Sequence, residues 1–565
     1  MARTGEEIRE SMKQITHTDM KRYTAILLGL LAAFALQAQP EAVFNKLIKQ
    51  YIWNSDGSMT YHYRKEVKLN THMAFNQLYG ETFIIYNKEF QTLRINECYT
   101  RQADGTIVKA PDNAFNEVLP AFAVDAPAYN HLTEMVITHT GLEIGATIYL
   151  DYTLTTGVGY YPFLDVAETL EEHAPVTECE VSITMPADEK LTCGISGVDS
   201  KEPTTHTEND MTTYTWQFRN LPAIPLESHR ASEAVPMLFA SNAGGENGIA
   251  WLSAMKVHPA DCARLVDKLL QGITSPVDRA NAIQRFVVNN ISTINLPVLL
   301  SADIREPSVV LSSAYGTPAE KAALMASMLL AANLDAQILA AFPIHAMPIA
   351  VGALTDIRVR TGGRFLSPVR MDAPDPALRA TRDQFWLTGD DGVNMVQIVK
   401  RAARLACSAQ ITLGKDEATV EGTVTDSEDP AAKPDFTGKT PLQSSAGYTV
   451  YALPVPRHQG LDAWRLTLGS TRTQPYELPY ALTETCDYTI DLGGRELKTL
   501  PFRKEWSGAA GKICLSLQRD GNKATVHREI ELTHPVIAPE TYADFRTLIL
   551  LWQDDAYRTL ILKDK

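Results

Sequence analysis

A helix opens at Gly316-Thr-Pro-Ala-Glu-Lys-Ala322, and its first turn is where this sequence comes nearest to a reactive centre. Thr317 reads as the N-cap and Pro318 as the first helical residue. Glu320, three after the cap, completes a Thr-x-x-Glu capping box. A helix N-terminus suits a thiolate, because its free amide protons and dipole lower the pKa. Here the position carries Pro318, which has no side-chain nucleophile. A second candidate is His258-Pro-Ala-Asp-Cys262, a thiol and an imidazole at another helix start, the groups a cysteine nucleophile and its base require. The plainer reading is stronger. Cys262 heads a Leu265/Val266/Leu269 face where a small buried residue is ordinary, and His258 precedes the helix. His345, between Ile344 and Ala346, reads as a satisfied histidine rather than a base.

Metal and phosphate chemistry find less support. His131 and His139 lie eight apart without a matching carboxylate pattern. Gly244-Gly-Glu-Asn-Gly248 lacks the Lys and Ser/Thr of a phosphate loop and reads as a turn. No cofactor is implied. Trp53, Tyr61, Tyr63, Tyr160 and Tyr161 have the makings of a carbohydrate platform, although aromatics in β regions are more often cross-strand core pairs. The seven cysteines (Cys98, Cys179, Cys193, Cys262, Cys407, Cys486, Cys514) contain no Cys-x-x-Cys. Cys179–Cys193 and Cys486–Cys514 each fall within one β region and are candidate bridges if the protein is exported. An odd count leaves at least one thiol unpaired within the chain.

These residues must be positioned by three kinds of segment. From Tyr51 to Asn220 the pattern is β: Thr60–Leu69, Met135–Thr140, Ala146–Leu154, Cys179–Met185 and Thr213–Phe218 are alternating or rich in β-branched and aromatic residues, with turn residues between. The middle shifts to helical period. Cys262, Leu265, Val266 and Leu269 share one face. Ala280, Ile283, Val287 and Ile291 share another, opened by Ser275 and Pro276. Ala322, Met325, Ala326 and Leu329 line the face behind Thr317. Short apolar runs follow at Ala336–Phe342 and Ile357–Val359, with Gly362-Gly363 as a turn before Phe365-Leu366. Beyond Arg401 the pattern is β again. Gln410–Leu413 and Thr419–Val424 form a hairpin, and Asp426–Gly447 reads as a long exposed loop. Tyr448–Val455, Trp464–Leu468, Tyr488–Leu492, Ile513–Gln518 and Lys523–Leu532 read as strands, and Tyr542–Trp552 as a final helix.

Composition narrows the partners. A formal charge of −15 with no Lys/Arg block argues against nucleic acid and against docking on anionic membranes. Lys21-Arg22 precede an apolar run, Ala25–Leu36, and then Gln37-Ala38-Gln39. That is the form of a secretory signal peptide, too short to span a bilayer comfortably. The expectation is initiation at Met20, cleavage after Ala38, a periplasmic or secreted protein, and no integral membrane span in the mature chain.

The segment Ala314–Ala336 resembles the central helix of the transglutaminase-like superfamily, which carries Gly-x-Cys-x-Asp/Glu-Lys-Ala there with the cysteine as nucleophile. Tyr160-Tyr-Pro-Phe-Leu164, Ala174-Pro-Val-Thr177, Pro186 and Leu221-Pro-Ala-Ile-Pro-Leu-Glu227 resemble the DUF3857-type β domain of exported Bacteroidetes proteins, and Pro539–Arg546 resembles the ending of the same family. The resemblance implies a multidomain α+β protein: an N-terminal antiparallel β sandwich (39–240), a central transglutaminase-like (papain-like) α+β domain (241–400) and a C-terminal β domain (401–565), after an upstream extension and signal peptide (1–38). It also implies that the triad is unmatched, at Pro318, at a position near Leu354–Asp356, and at Ser367. The expected protein is therefore no enzyme. Its groove, with Tyr315, Gly316, Thr317, Pro318, Glu320 and Lys321 as candidate lining, is expected to bind a polypeptide or a glycan of the cell envelope. The alternatives are a cysteine amidase or peptidase using Cys262, and a structural envelope scaffold.

Overall fold

The computed structural model describes residues 39–198, 202–231, 234–242, 254–300, 303–343, 351–371, 384–388, 394–396, 402–427, 436–456 and 460–564. The segment read from sequence as a signal peptide, Gly244–Gly248 and His345 lie outside these residues.

The N-terminal part is built on an eight-stranded sheet. Its order is Thr204–Glu208, Met211–Leu221, Val176–Pro186, Ala42–Trp53, Met59–Leu69, Thr147–Thr156, Gln91–Arg101, Ile107–Lys109. Neighbours run antiparallel except Ala42–Trp53 and Val176–Pro186, which are parallel with Leu47 opposite Cys179. The sheet is mostly antiparallel, as expected, with one parallel pair: a chain returning after more than a hundred residues can join an edge in either direction, and strand patterning does not encode which. Two three-stranded sheets cover parts of this sheet. One comprises Asp165–Thr169, Thr192–Ser196 and Met237–Ser241, and the other Glu81–Asn87, Phe115–Val118 and Leu132–Thr138. Leu47, Val67, Ile148, Val181, Ile183 and Trp216 are buried in a core with the first, and Leu150 and Tyr152 pack with Ile84 and Ile137 of the second.

Among the described residues four helices come next: α1 (Pro259–Leu269), α2 (Pro276–Asn290), α3 (Pro307–Ser313) and α4 (Pro318–Ala331). Each starts on a proline, whose missing N–H costs nothing at a first turn. Helix α4 is the hub. Residues Ala319–Leu329 are all buried, and alanines at 319, 322, 323 and 326 let neighbours approach closely. A five-stranded antiparallel sheet adjoins it, ordered Arg364–Leu366, Asp356–Thr361, Gln337–Pro343, Gln384–Thr388, Asn394–Val396.

The C-terminal part is a seven-stranded sheet ordered Gly438–Pro441, Glu417–Asp426, Ala403–Leu413, Leu482–Asp491, Lys523–Leu532, Gly511–Asp520, Phe502–Gly508. A four-stranded sheet and helix α5 (Tyr542–Gln553) complete its core. It is tied to the N-terminal part by Glu227, which accepts hydrogen bonds from the N–H groups of Thr473 (2.8 Å) and Gln474 (3.0 Å).

The fold class expected from sequence is overturned. The chain is mostly β, 46% strand against 20% helix, spread over several sheets, and among the described residues no central α+β domain of the papain-like kind is evident. The physical reason is one of signal strength. Apolar repeats over 11–15 residues mark α1, α2 and α4 clearly, whereas strands of two to five residues leave almost no periodicity. Two local readings fail similarly. Residues 426–447 hold strands Gly438–Pro441 and Gln443–Ser445 instead of one loop, and Trp464–Leu468 is irregular, its indole packed edge-on against Tyr480 at 4.9 Å.

Candidate functional site

The start of α4 is held by a buried ion pair. Helix α3 ends on Ala314 in a left-handed conformation (φ 60°), turning the chain so that Tyr315-Gly316 pairs beside Ser292-Thr293. Thr317 then caps α4, its hydroxyl accepting from the Glu320 N–H (3.3 Å), while Glu320 Oε2 accepts from the Thr317 N–H (2.9 Å). The Arg305 side chain donates to Glu320 twice, Nε to Oε1 and Nη2 to Oε2, both at 2.8 Å, and its backbone N–H donates to Oε1 at 3.3 Å. The Tyr129 hydroxyl donates at 2.9 Å from the N-terminal part. The Arg305 guanidinium lies over the Tyr315 ring at 4.5 Å and over Tyr129 at 5.4 Å. Burial alone would raise the Glu320 carboxyl; the Arg305 and Thr317 hydrogen bonds outweigh it and hold the pKa below its usual value. Lys321 is wholly buried and donates to the Ile291 carbonyl (2.6 Å) and the Thr293 hydroxyl (2.8 Å). Burial pushes its amine down to about 8.

Beside this start lies a groove of about 310 Å³, lined by Leu296, Pro297 and Val298, by Thr317 and Pro318, by Leu354–Ile357, and by Val369 and Arg370. The positions singled out from sequence therefore meet in part: Pro318 and Leu354–Asp356 share this groove, and Ser367 is fully buried just outside it. Of the six expected lining residues only Thr317 and Pro318 border it. Tyr315, Gly316, Glu320 and Lys321 are buried in the packing behind it.

Sequence reasoning missed the polar groups that shape the groove. Asp356 accepts from the Ile357 N–H (2.9 Å) and from Nε of the fully buried Arg358 (2.9 Å), with Arg370 at 3.9 Å. Asp165, from the N-terminal part, accepts from the N–H groups of Val351 (2.5 Å) and Gly352 (3.2 Å) and so sets the groove's far wall. Burial pushes the Asp165 carboxyl up to about 6 against those two bonds. The adjoining Tyr160–Leu164 run was the available signal, and it spoke of a domain type, not of a partner 186 residues away.

The remaining candidates separate. Cys262 is fully buried among the helices, and burial pushes its thiol up to about 11. His258 faces Glu306, Nδ1 to Oε2 at 2.8 Å, and its N–H binds the Ser327 hydroxyl. His139 is buried between the Thr82 hydroxyl (2.9 Å) and the Cys98 sulfur (3.6 Å); His131 lines a different cleft. Among the described residues no group of three His, Cys, Asp or Glu is placed to hold a metal. Tyr61 and Tyr63 pack with Tyr51 and Tyr152 as cross-strand pairs, and Trp53 is buried. Tyr160 differs. It stacks on Phe90 (5.1 Å, 26°) at a cleft of about 380 Å³ that also holds Glu89, His131 and Asp303.

Residues 55–225 match the model of DUF3857, a domain of unknown function with a solved structure, and residues 448–562 match DUF3858, described the same way. No curated protein matches the chain. Among solved structures, one described as a "putative protease" from Parabacteroides distasonis ATCC 8503 matches at 34% identity and a TM-score of 0.77, covering 93% of this chain and 99% of that one. An M1 zinc metallopeptidase from Deinococcus radiodurans aligns with 35% of this chain and 42% of its own at 12% identity, but its TM-score of 0.20 carries no argument. With identity at that level over nearly its whole length, this chain belongs to the family of the Parabacteroides distasonis protein, with a DUF3857 domain at one end and a DUF3858 domain at the other.

Proposed function

We propose that this is an exported, non-catalytic protein that binds a stretch of polypeptide in the groove at the start of α4. The observation that carries the reading is the lining. A proline heads the helix where a thiol would be most activated, and the described lining residues include no cysteine, serine or histidine. What the groove offers is recognition. Leu296, Val298, Leu354, Ile357 and Val369 supply apolar wall for side chains, while Asp356 and Arg370 supply a fixed acceptor and a donor for main-chain or charged groups. An open groove also argues against a purely structural scaffold. The Cys262 alternative has no support from its position, and the name given to the Parabacteroides relative does not by itself supply a nucleophile. A glycan is the second reading, favoured by the Phe90–Tyr160 stack beside Glu89 and Asp303.

The test is a fluorescence-anisotropy screen of the purified mature protein against a peptide library, with each hit incubated and analysed for cleavage or acyl transfer. Micromolar binding, weakened about tenfold or more by Arg370→Glu or Asp356→Ala, is expected for contacts of this kind, with every peptide left intact. Cys262→Ala should change nothing. Thiol-dependent cleavage or acyl transfer would overturn the proposal, as would peptide affinity indifferent to both groove substitutions. Export is checked by sequencing the mature N-terminus, expected at Gln39.

A further inference from the structure

Cys407 and Cys486 stand directly opposite each other on the parallel strands Ala403–Leu413 and Leu482–Asp491. Both are buried, and both face the core side of strands that alternate buried and exposed residues. Neighbouring strands lie about 4.8 Å apart, inside the 4.4–6.8 Å window of Cα separations that a disulfide spans. Both are free thiols in this structure. The pairings expected from sequence lack this geometry. Strand Lys523–Leu532 lies between Cys486 and Cys514, roughly doubling the separation, and Cys514 faces Glu505 and Glu529. Cys179 and Cys193 belong to different sheets, opposite Leu47 and Phe218 in one case and Ala240 in the other.

We propose that Cys407 and Cys486 form a disulfide that staples the parallel centre of the C-terminal sheet. The bond rests on the export reading for its oxidant, the disulfide of a thiol oxidoreductase in an oxidising compartment. One cysteine thiolate attacks that disulfide, forming a mixed disulfide and expelling one oxidant thiolate. The second cysteine attacks the protein sulfur of the mixed disulfide, closing Cys407–Cys486 and releasing the other thiolate. The two protons lost by the cysteines end on the oxidant, now a dithiol, which has gained two electrons. The step precedes burial. In the folded sheet the neighbouring Cys486 thiol and burial hold the Cys407 thiol far above its usual pKa, so little thiolate remains to react. A bond made during folding is then sealed from reductants.

The test has two arms. The mature protein is unfolded, refolded in a glutathione redox buffer, alkylated and mapped by peptide mass spectrometry without reduction. One linked peptide pair, two hydrogens lighter than its parts and joining Cys407 to Cys486, is expected, with the other five cysteines alkylated. Alkylation of both, or either one linked elsewhere, overturns the proposal. In the second arm, protein taken from cells under acid trapping is mapped the same way, and the same linkage is expected. A bond that forms on refolding but is missing from cellular protein overturns the export reading and leaves the pairing standing. Reduction should also lower the unfolding midpoint of the wild type and leave a Cys407→Ala/Cys486→Ala protein unmoved; equal sensitivity in both would count against a bond at this place.

Discussion

Replacing Glu320 by glutamine tests how the start of α4 is held. The carboxylate is 1% exposed and receives two bonds from Arg305 at 2.8 Å, one from Tyr129 and one from the Thr317 N–H. Glutamine keeps the shape but not the charge, and whichever way its amide turns, an NH₂ group faces a donor. Breaking a buried pair from one side costs about 3–5 kcal/mol when both partners are fully enclosed. The Arg305 side chain keeps 15% of its exposure, so a figure of about 2–4 kcal/mol is more realistic. Hydrogen exchange read by mass spectrometry on peptides from α4 reports this locally, where whole-chain unfolding of several sheets would not. At 1.4 kcal/mol per tenfold, protection across Pro318–Ala331 should fall by a factor of roughly 30 to 1000. A double-mutant cycle with Arg305→Met should return a coupling of about 2 kcal/mol. The pH dependence has a defined sign. Because Glu320 is held below its usual 4.5, its contribution is complete above that pH and is lost as pH falls through the folded value. The gap between wild type and variant should therefore close in acid. Protection within threefold of wild type at pH 7, or a gap that persists unchanged in acid, would refute the account.

Two further substitutions probe groups whose burial opposes their charge. Lys321 sits at about 8 in the fold against 10.5 when exposed, so its penalty is present below pH 8 and disappears between pH 8 and 10.5. Relative to Lys321→Met, wild type should gain about 3 kcal/mol over that interval in urea unfolding; a difference constant with pH would show the amine to be neutral or solvated. Asp165 behaves oppositely, at about 6 against 3.8, so folding binds its proton and wild type gains stability as pH falls from 7 towards 4. Asp165→Asn should come within about 1 kcal/mol of wild type or exceed it at pH 7, because relief from burying a charge offsets a weakened bond to Val351 or Gly352. Wild type should gain about 1 kcal/mol on the variant between pH 7 and pH 5, checked by thermal unfolding at both pH values; a variant less stable by several kcal/mol at pH 7, or a gap unchanged between the two, would count against it.

What was legible in the sequence is what is decided within a few residues. The Thr317–Glu320 capping box, the Ser275 cap before Pro276 and strand Lys523–Leu532 all appear where local pattern placed them, since each depends on hydrogen bonds or alternation inside one segment. What escaped depends on partners remote in sequence. Nothing near Asp165 announces the Val351–Gly352 backbone, and nothing near Cys486 distinguishes Cys407 from Cys514 as its neighbour. The fold class failed for a related reason: helices advertise themselves through long repeats, while short strands gain their identity only on pairing.

The same contrast bears on what the α4 start means. Thr317, Glu320 and Lys321 anchor the helix to Tyr129, Ile291, Thr293 and Arg305, contacts that reach from the N-terminal β part to the preceding helices. A motif bound up in that many buried bonds is held in place by stability alone, whatever stands at the half-buried first position. Its presence therefore says little about chemistry. The informative residues are those that face the groove: half-buried Pro318, and across it Asp356 and Arg370. Proline there strengthens the first turn and removes any side-chain nucleophile in one step. On the proposed function, Asp356 and the neighbouring Arg370 are the groups that would hold a chain in the groove, and that division between a rigid buried anchor and an open edge is where the function of this protein should be sought.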